Sequence, residues 1–302
     1  MSETQGLPEA SGEPTARIER KGQGCLAIVE VTVPGPAEEV WESVATGPGY
    51  RRWFVEAELE PRVGGSLVTH HGDFGDSEGT ITAWDPPHRY AYVEPDWMGD
   101  GTPVPDWTTE ITLEPVPDDG PPATLVRLTS GVATEAEAWG EDIEGTLPGW
   151  RSALRLLTEF HAHFAGRDTA QALVMREVPA GHRLTVLLGL DGAVVGQQAT
   201  AGAEAGGQNL AVTGTVIEAS GGPAGEGPTQ QDSVVLRVSE GTAGAAGAAP
   251  GVYEFGTMQY GESRMSVVRG YLHVPSGADL PAAEAARTAE RDWSTVLDAL
   301  LA

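Results

Sequence analysis

Histidines are the residues of this sequence whose spacing first invites a chemical reading, in two close pairs, His70-His71 and His161-Ala162-His163. Either pair could hold a metal or move a proton. On a strand, neighbouring side chains point to opposite faces, so His70 and His71 cannot chelate one ion. On a helix, residues two apart sit about 200° apart, which separates His161 from His163. No Cys or carboxylate stands at ligand spacing beside them, so no metal site is expected. His161 falls on an apolar helical stripe, where it can serve as a ligand contact or a proton carrier.

Other chemistries find less footing. Asp73, Asp76 and Glu78 cluster where a hairpin is expected and read as solvated turn residues. Lys21 is the only lysine, and no Gly-rich loop leads into a helix with Lys-Ser/Thr, so no phosphate loop is present. Gly22-Gln23-Gly24 opens a strand, the wrong context for a dinucleotide fingerprint. The sequence assigns no catalytic residue and no cofactor.

The aromatic residues are more informative. Seven of the eight Trp lie in the first 150 residues. Trp rings bury a large apolar area and keep one N–H for a polar ligand group. Trp53, Phe54, Trp84, Tyr92, Trp97, Trp107 and Trp150, with His71, Leu154 and His161, form the expected lining of an apolar cavity.

Those residues must be positioned by a recognisable run of elements. Residues 1–20 are polar, with Pro and Gly, and read as a disordered leader. A β-branched strand is expected over Leu26–Val33, and Pro34-Gly35-Pro36 ends it. Pro36, Glu38 and Glu39 suit the first turn of a helix carrying Val40, Trp41 and Val44. A second short helix is expected over Pro48–Phe54. Strands then follow over 66–71, 79–84, 89–94, 107–114 and 124–131, separated by Gly, Pro and Asp. The loop 95–106 carries Trp97 and Met98. Trp150, Ala153, Leu154, Leu157, His161 and Phe164 form one stripe of a final long helix, expected from Gly149.

One strand, two helices, an antiparallel run and a last helix is an α+β, helix-grip order: a curved sheet around a long C-terminal helix. The segments PAEEVWESVATGPGYRRWFVEAELEPRVGGSL, EGTITAWDPPHRYAYV and GWRSALRLL resemble bacterial members of the SRPBCC (START-like) superfamily. More narrowly, they are similar to those grouped with the C-terminal domain of the activator of heat-shock protein 90 ATPase. The matching features are Trp41, Arg52-Trp53-Phe54, Val63-Gly64-Gly65, Asp85-Pro86-Pro87 and Gly149-Trp150. The resemblance covers 21–167 and implies a module for a small apolar or aromatic molecule. It leaves two alternatives open. One is a cyclase, dehydratase or hydrolase using His70 or His71, His161 and Tyr92 in the same cavity. The other is a co-chaperone-like ATPase activator with a chaperone partner.

Residues 168–302 echo the first half. Val195-Gly196 resembles Val63-Gly64, Gly214-Thr215-Val216 resembles Gly79-Thr80-Ile81, and Trp293, Val296, Leu297 and Leu300 repeat the stripe that begins at Trp150. A second, degenerate helix-grip copy is expected here, without the second helix and its aromatics. Ala201–Gly207, Ser220–Gly227 and Gly241–Gly251 are low-complexity stretches that cannot build a core.

The net charge of −26 is spread along the chain: through Arg167 there are 11 basic and 29 acidic residues (−18), and beyond it 7 and 15 (−8). Such a surface repels phosphate, so neither nucleic acid nor an anionic membrane is an expected partner. The single cysteine, Cys25, and the polar start without an apolar stretch lead to a cytoplasmic expectation, as a monomer or homodimer.

Overall fold

A computed structural model describes residues 12–72, 75–97, 103–117, 120–134, 136–179, 181–221, 232–239, 249–260 and 263–302. Asp73, Met98 and most of the last two low-complexity stretches lie outside the described residues. The chain divides into two compact units, Met1–Ala165 and Gly166–Ala302.

The first unit opens with β1 (Thr15–Lys21) and β2 (Gly24–Pro34), followed by α1 (Ala37–Val44) and α2 (Gly47–Tyr50). Pro36 caps α1 in an extended conformation, Glu38 and Glu39 occupy its first turn, and Val40, Trp41 and Val44 are buried. The acidic first turn complements the positive end of the helix dipole. In α2 the Thr46 hydroxyl accepts from the Gly49 N–H at 3.0 Å, an ordinary N-cap. The helix expected to run to Phe54 stops at Tyr50 and continues as turns, with the Phe54 N–H donating to the Tyr50 carbonyl at 2.8 Å.

Then come β3 (Glu56–Leu59), β4 (Ser66–His70), β5 (Asp76–Asp85), β6 (Arg89–Glu94), β7 (Trp107–Pro115), β8 (Ala123–Val132) and α3 (Ala136–His163). All pair antiparallel in one eight-stranded sheet of order β1-β2-β8-β7-β6-β5-β4-β3. The fold is α+β helix-grip, as expected. Two expectations need correction. The supposed disordered leader contains β1, a strand whose side chains are nearly all exposed and which is held by backbone pairing with β2. The last helix starts well before Gly149 and carries Pro148 in its interior; proline is common only in a first turn, so the sequence pointed to a later start.

Alternation places the site. Along β6, Tyr90 and Tyr92 are buried, and Glu94 shares their face. Along β7, Trp107, Thr109, Ile111 and Leu113 face inward. Trp107 and Val132 pack with Cys25 and Ala27 of β2 against Ile143 of α3, so this is the face that α3 covers. The α3 backbone approaches β2 most closely, with β1 and β8 beside it.

The second unit contains β9 (Asp168–Glu177), α4 (Leu184–Leu187), β10 (Gln198–Ala205), β11 (Gln208–Ser220), β12 (Asp232–Val238), β13 (Gly251–Tyr260), β14 (Ser263–Val274) and α5 (Ala282–Leu300). Its antiparallel sheet reads β9-β14-β13-β12-β11-β10. That is the order β2-β8-β7-β6-β5-β4 of the first unit, with the single turn of α4 in the chain position of α1 and α2. Its core joins Leu184 and Leu188 to Phe255, Trp293, Val296 and Leu297. Trp293 meets the Phe255 ring edge-on at 5.3 Å.

A finer correspondence accompanies the strand order. Gly64 donates to the Ile81 carbonyl and Ile81 donates to the Gly65 carbonyl, both at 2.8 Å; Gly196 and Val216, then Val216 and Gln197, repeat this exchange at 2.8 Å. A β-bulge follows each time, after Ile81 in β5 and after Val216 in β11. Gly64 and Gly196 both take positive φ, 76° and 85°, a conformation glycine adopts without steric cost.

Candidate functional site

The aromatic residues singled out in the sequence fall into four groups. Phe54, His71 and Trp150 form the first, and all three are half-buried. Phe54 stacks on Trp150 at 5.1 Å and 29°, and meets the His71 ring edge-on at 5.9 Å. The turn after α2, the end of β4 and the middle of α3 thus meet in an aromatic wall that is partly open to solvent.

Beside that wall, register assembles a polar row on the helix-covered face. The His71 Nε2 lies 3.0 Å from the Thr69 hydroxyl. Thr69 is the cross-strand partner of Ser77. Ser77 donates to Glu94 Oε1. Glu94 adjoins Tyr92 by alternation on β6, and Tyr92 stands opposite Thr109 across the strands and near the Tyr50 phenol. Thr109 pairs with Ser130 at 2.9 Å, and the Trp107 indole donates to Ser130 at 2.8 Å. Tyr50 also shares a hydrogen bond with Tyr90.

The electrostatics of this row follow from its burial. Tyr50, Tyr90 and Tyr92 are fully buried phenols, and burial pushes their ionisation well above the ordinary range. Burial also raises Glu94, against the lowering effect of the Ser77 hydroxyl. The row therefore holds neutral hydroxyls with one carboxyl whose ionisation burial opposes. Such groups can orient the polar end of a largely apolar molecule, or pass a proton to one.

The second group is Trp97, Trp107 and Trp139. Trp97 lies 5.0 Å from each of the other two rings, and its indole donates to the Pro105 carbonyl at 3.0 Å. The third is Trp84, which packs on Trp41 at 5.1 Å and Tyr90 at 5.9 Å. The fourth joins α1 to α3. Trp53 is fully buried with its indole on the Ser43 carbonyl at 2.9 Å, and His161 Nε2 lies 3.0 Å from the Ser43 hydroxyl. Arg52 donates to the same hydroxyl at 3.1 Å and its guanidinium lies over the Phe160 ring at 5.1 Å. Leu154 is fully buried in the α3 stripe.

Phe54, His71, Trp150, Tyr92 and Trp107 thus meet in or beside one row, and Trp53 adjoins it through its stack on Phe54 at 5.7 Å and 30°, whereas Trp84, Trp97 and His161 pack in the neighbouring groups. His70 sits on the other face, its Nδ1 2.8 Å from Asp76. His163 lies 3.8 Å from Glu159. Among the described residues no three His, Cys, Asp or Glu side chains gather as a metal site. Sequence reasoning passed over Glu94, Ser77, Thr109 and Ser130. The alternation Tyr90-x-Tyr92-x-Glu94 was the available signal, since it places a carboxyl on the face of two buried rings.

Residues 34–162 match the family model described as "Activator of Hsp90 ATPase homolog 1-like protein", so the resemblance read from the sequence is shown for the first unit. CalU16 from Micromonospora echinospora is 23% identical, over 49% of this chain and 86% of that one, with a TM-score of 0.40. DynU16, described as a protein of the dynemicin biosynthetic locus, is 16% identical, over 91% of this chain and 96% of that one, with a TM-score of 0.39. Comparison with the curated proteins returns no match. No helix among the described residues is long and apolar enough to cross a membrane.

Proposed function

We propose that the first unit binds a small apolar or aromatic molecule against the wall of Phe54, His71 and Trp150. The observation that carries this reading is the half-buried Phe54–Trp150 stack beside a buried row of hydroxyls. An aromatic wall supplies apolar area, and a few fixed polar groups supply orientation, which is the usual composition of a ligand site. Native mass spectrometry of freshly purified protein tests it: a co-purified small molecule is expected. Titration with an apolar fluorescent probe is the second arm. Phe54→Leu should weaken probe binding while Tyr253→Phe leaves it unchanged, and the reverse pattern would place the ligand in the second unit.

We further infer that 166–302 is a reduced copy of the first unit that serves as scaffold or partner surface. The shared strand order and repeated Gly64/Gly196 turn support a copy, and the loss of the α2 aromatics supports the change of role. A second reading rests on the family match itself. The matched description names an ATPase activator of a heat-shock protein, so a chaperone contact is tested by pull-down, where absence of capture removes it.

A further inference from the structure

Glu94 gives the proposed site a polarity that its aromatic wall does not. Six residues define the surroundings: Thr69, Ser77, Glu94, Tyr92, Thr109 and Ser130 share the helix-covered face across β4 to β8. Five of them are neutral hydroxyls. Glu94 Oε1 accepts the Ser77 hydroxyl, and no other hydrogen bond to this carboxyl occurs among the described residues. The two arginines that follow α2 are engaged elsewhere: Arg52 with Ser43 and the Phe160 ring, Arg51 with Glu56 at 3.0 Å. The row's six members thus offer hydroxyl partners and one carboxyl, and none of the six is a cation.

Resting on the ligand-binding reading above, we propose that Glu94 is a specificity-determining residue. It selects neutral ligands that carry a hydroxyl on an apolar body and rejects ligands that carry a carboxylate. A ligand hydroxyl can exchange hydrogen bonds with the Glu94 carboxyl and the Tyr92–Thr109 pair. A ligand carboxylate would bring a second acid into a half-buried site, where two neighbouring acids cannot both ionise without a large cost. Burial raises Glu94 already, so the site resists one negative charge before a second arrives.

Three naphthalenes with one apolar body test this: 2-methylnaphthalene, 2-naphthylmethanol and 2-naphthoate, titrated at pH 8, above the ordinary histidine range. The alcohol is expected to bind tightest, with the carboxylate weaker by about tenfold or more. Glu94→Gln should narrow that ratio by bringing the carboxylate closer to the alcohol, and Ser77→Ala should weaken the alcohol with little effect on 2-methylnaphthalene. Equal binding of alcohol and carboxylate, or an unchanged ratio in Glu94→Gln, overturns the role of Glu94. In that case binding of 2-methylnaphthalene leaves the ligand-binding reading standing. Failure of all three to bind overturns that reading, and the selectivity with it.

Discussion

His161 Nε2 lies 3.0 Å from the Ser43 hydroxyl, joining the last turn of α3 to α1. Arg52 donates to that hydroxyl from 3.1 Å, so Ser43 turns its own O–H toward an unprotonated Nε2. Burial, then the Arg52 charge, lower His161 from 6.5 to about 4. The unfolded chain therefore takes up this proton first. Stability is full above pH 6.5 and falls as pH drops toward 4, by at most about 2 kcal/mol between pH 6.5 and 5. Urea unfolding at pH 7.5 and 5 should show this loss in the wild type and a smaller one in His161→Gln. Parallel pH dependence in the two proteins would remove His161 from the account.

Glu94 should act in the opposite sense. Its folded value lies above the ordinary 4.5 because of burial, with Ser77 opposing. Its favourable contribution is present below 4.5 and lost as pH rises through the raised folded value. Glu94→Gln should accordingly gain stability relative to wild type on going from pH 4 to pH 8. A gap between the two that stays constant with pH would show the carboxyl to be solvated.

Gly64 and Gly196 hold equivalent turns at φ 76° and 85°. Neither site crowds an added Cβ to below ordinary contact distance, so alanine meets only the left-handed backbone penalty. Each substitution should cost about 1–2 kcal/mol, read as a lower urea midpoint. Markedly unequal costs would mean that the repeated turn serves different ends in the two units.

The two helix tryptophans should behave differently. Trp293 is only 4% exposed and packs on Phe255, and its truncation to Ala should cost about 3–5 kcal/mol. Trp150 is half-buried against Phe54. Trp150→Ala should cost distinctly less stability and more probe binding. Equal stability losses would mean that Trp150 is a core residue and the proposed wall is closed.

Much of the first unit was legible in the sequence because burial wrote itself into alternation. Strands β2, β4, β6, β7 and β8 carry buried residues at every second position or in a β-branched run, and β5 alternates half-buried with exposed residues up to the buried Ile81. β1 carries no such mark: Thr15–Lys21 exposes nearly every side chain and is ordered through its backbone. The first half of α3 was obscured by Gly140, Gly145 and Pro148, although Ile143 is fully buried there. The polar row had no local signature at all. Its members come from β4, β5, β6, β7 and β8, and only the pairing registers bring Ser77 to Glu94 and Thr109 to Ser130.

The neighbouring of an early strand and the last strand in each sheet governs how the chain must emerge from the ribosome. β2 pairs with β8 from Cys25↔Val132 to Pro34↔Ala123, and β9 pairs with β14 from Asp168↔Val274 to Glu177↔Met265. β2 and β9 must therefore wait, their apolar faces unprotected, until the final strand of their own sheet has been translated. Such long-range pairing is the slow kind, because a large loop closes before any contact repays it. Yet each wait ends within its own unit. The first sheet and α3 can close while residues beyond Gly166 are still being polymerised, so assembly follows the order of translation.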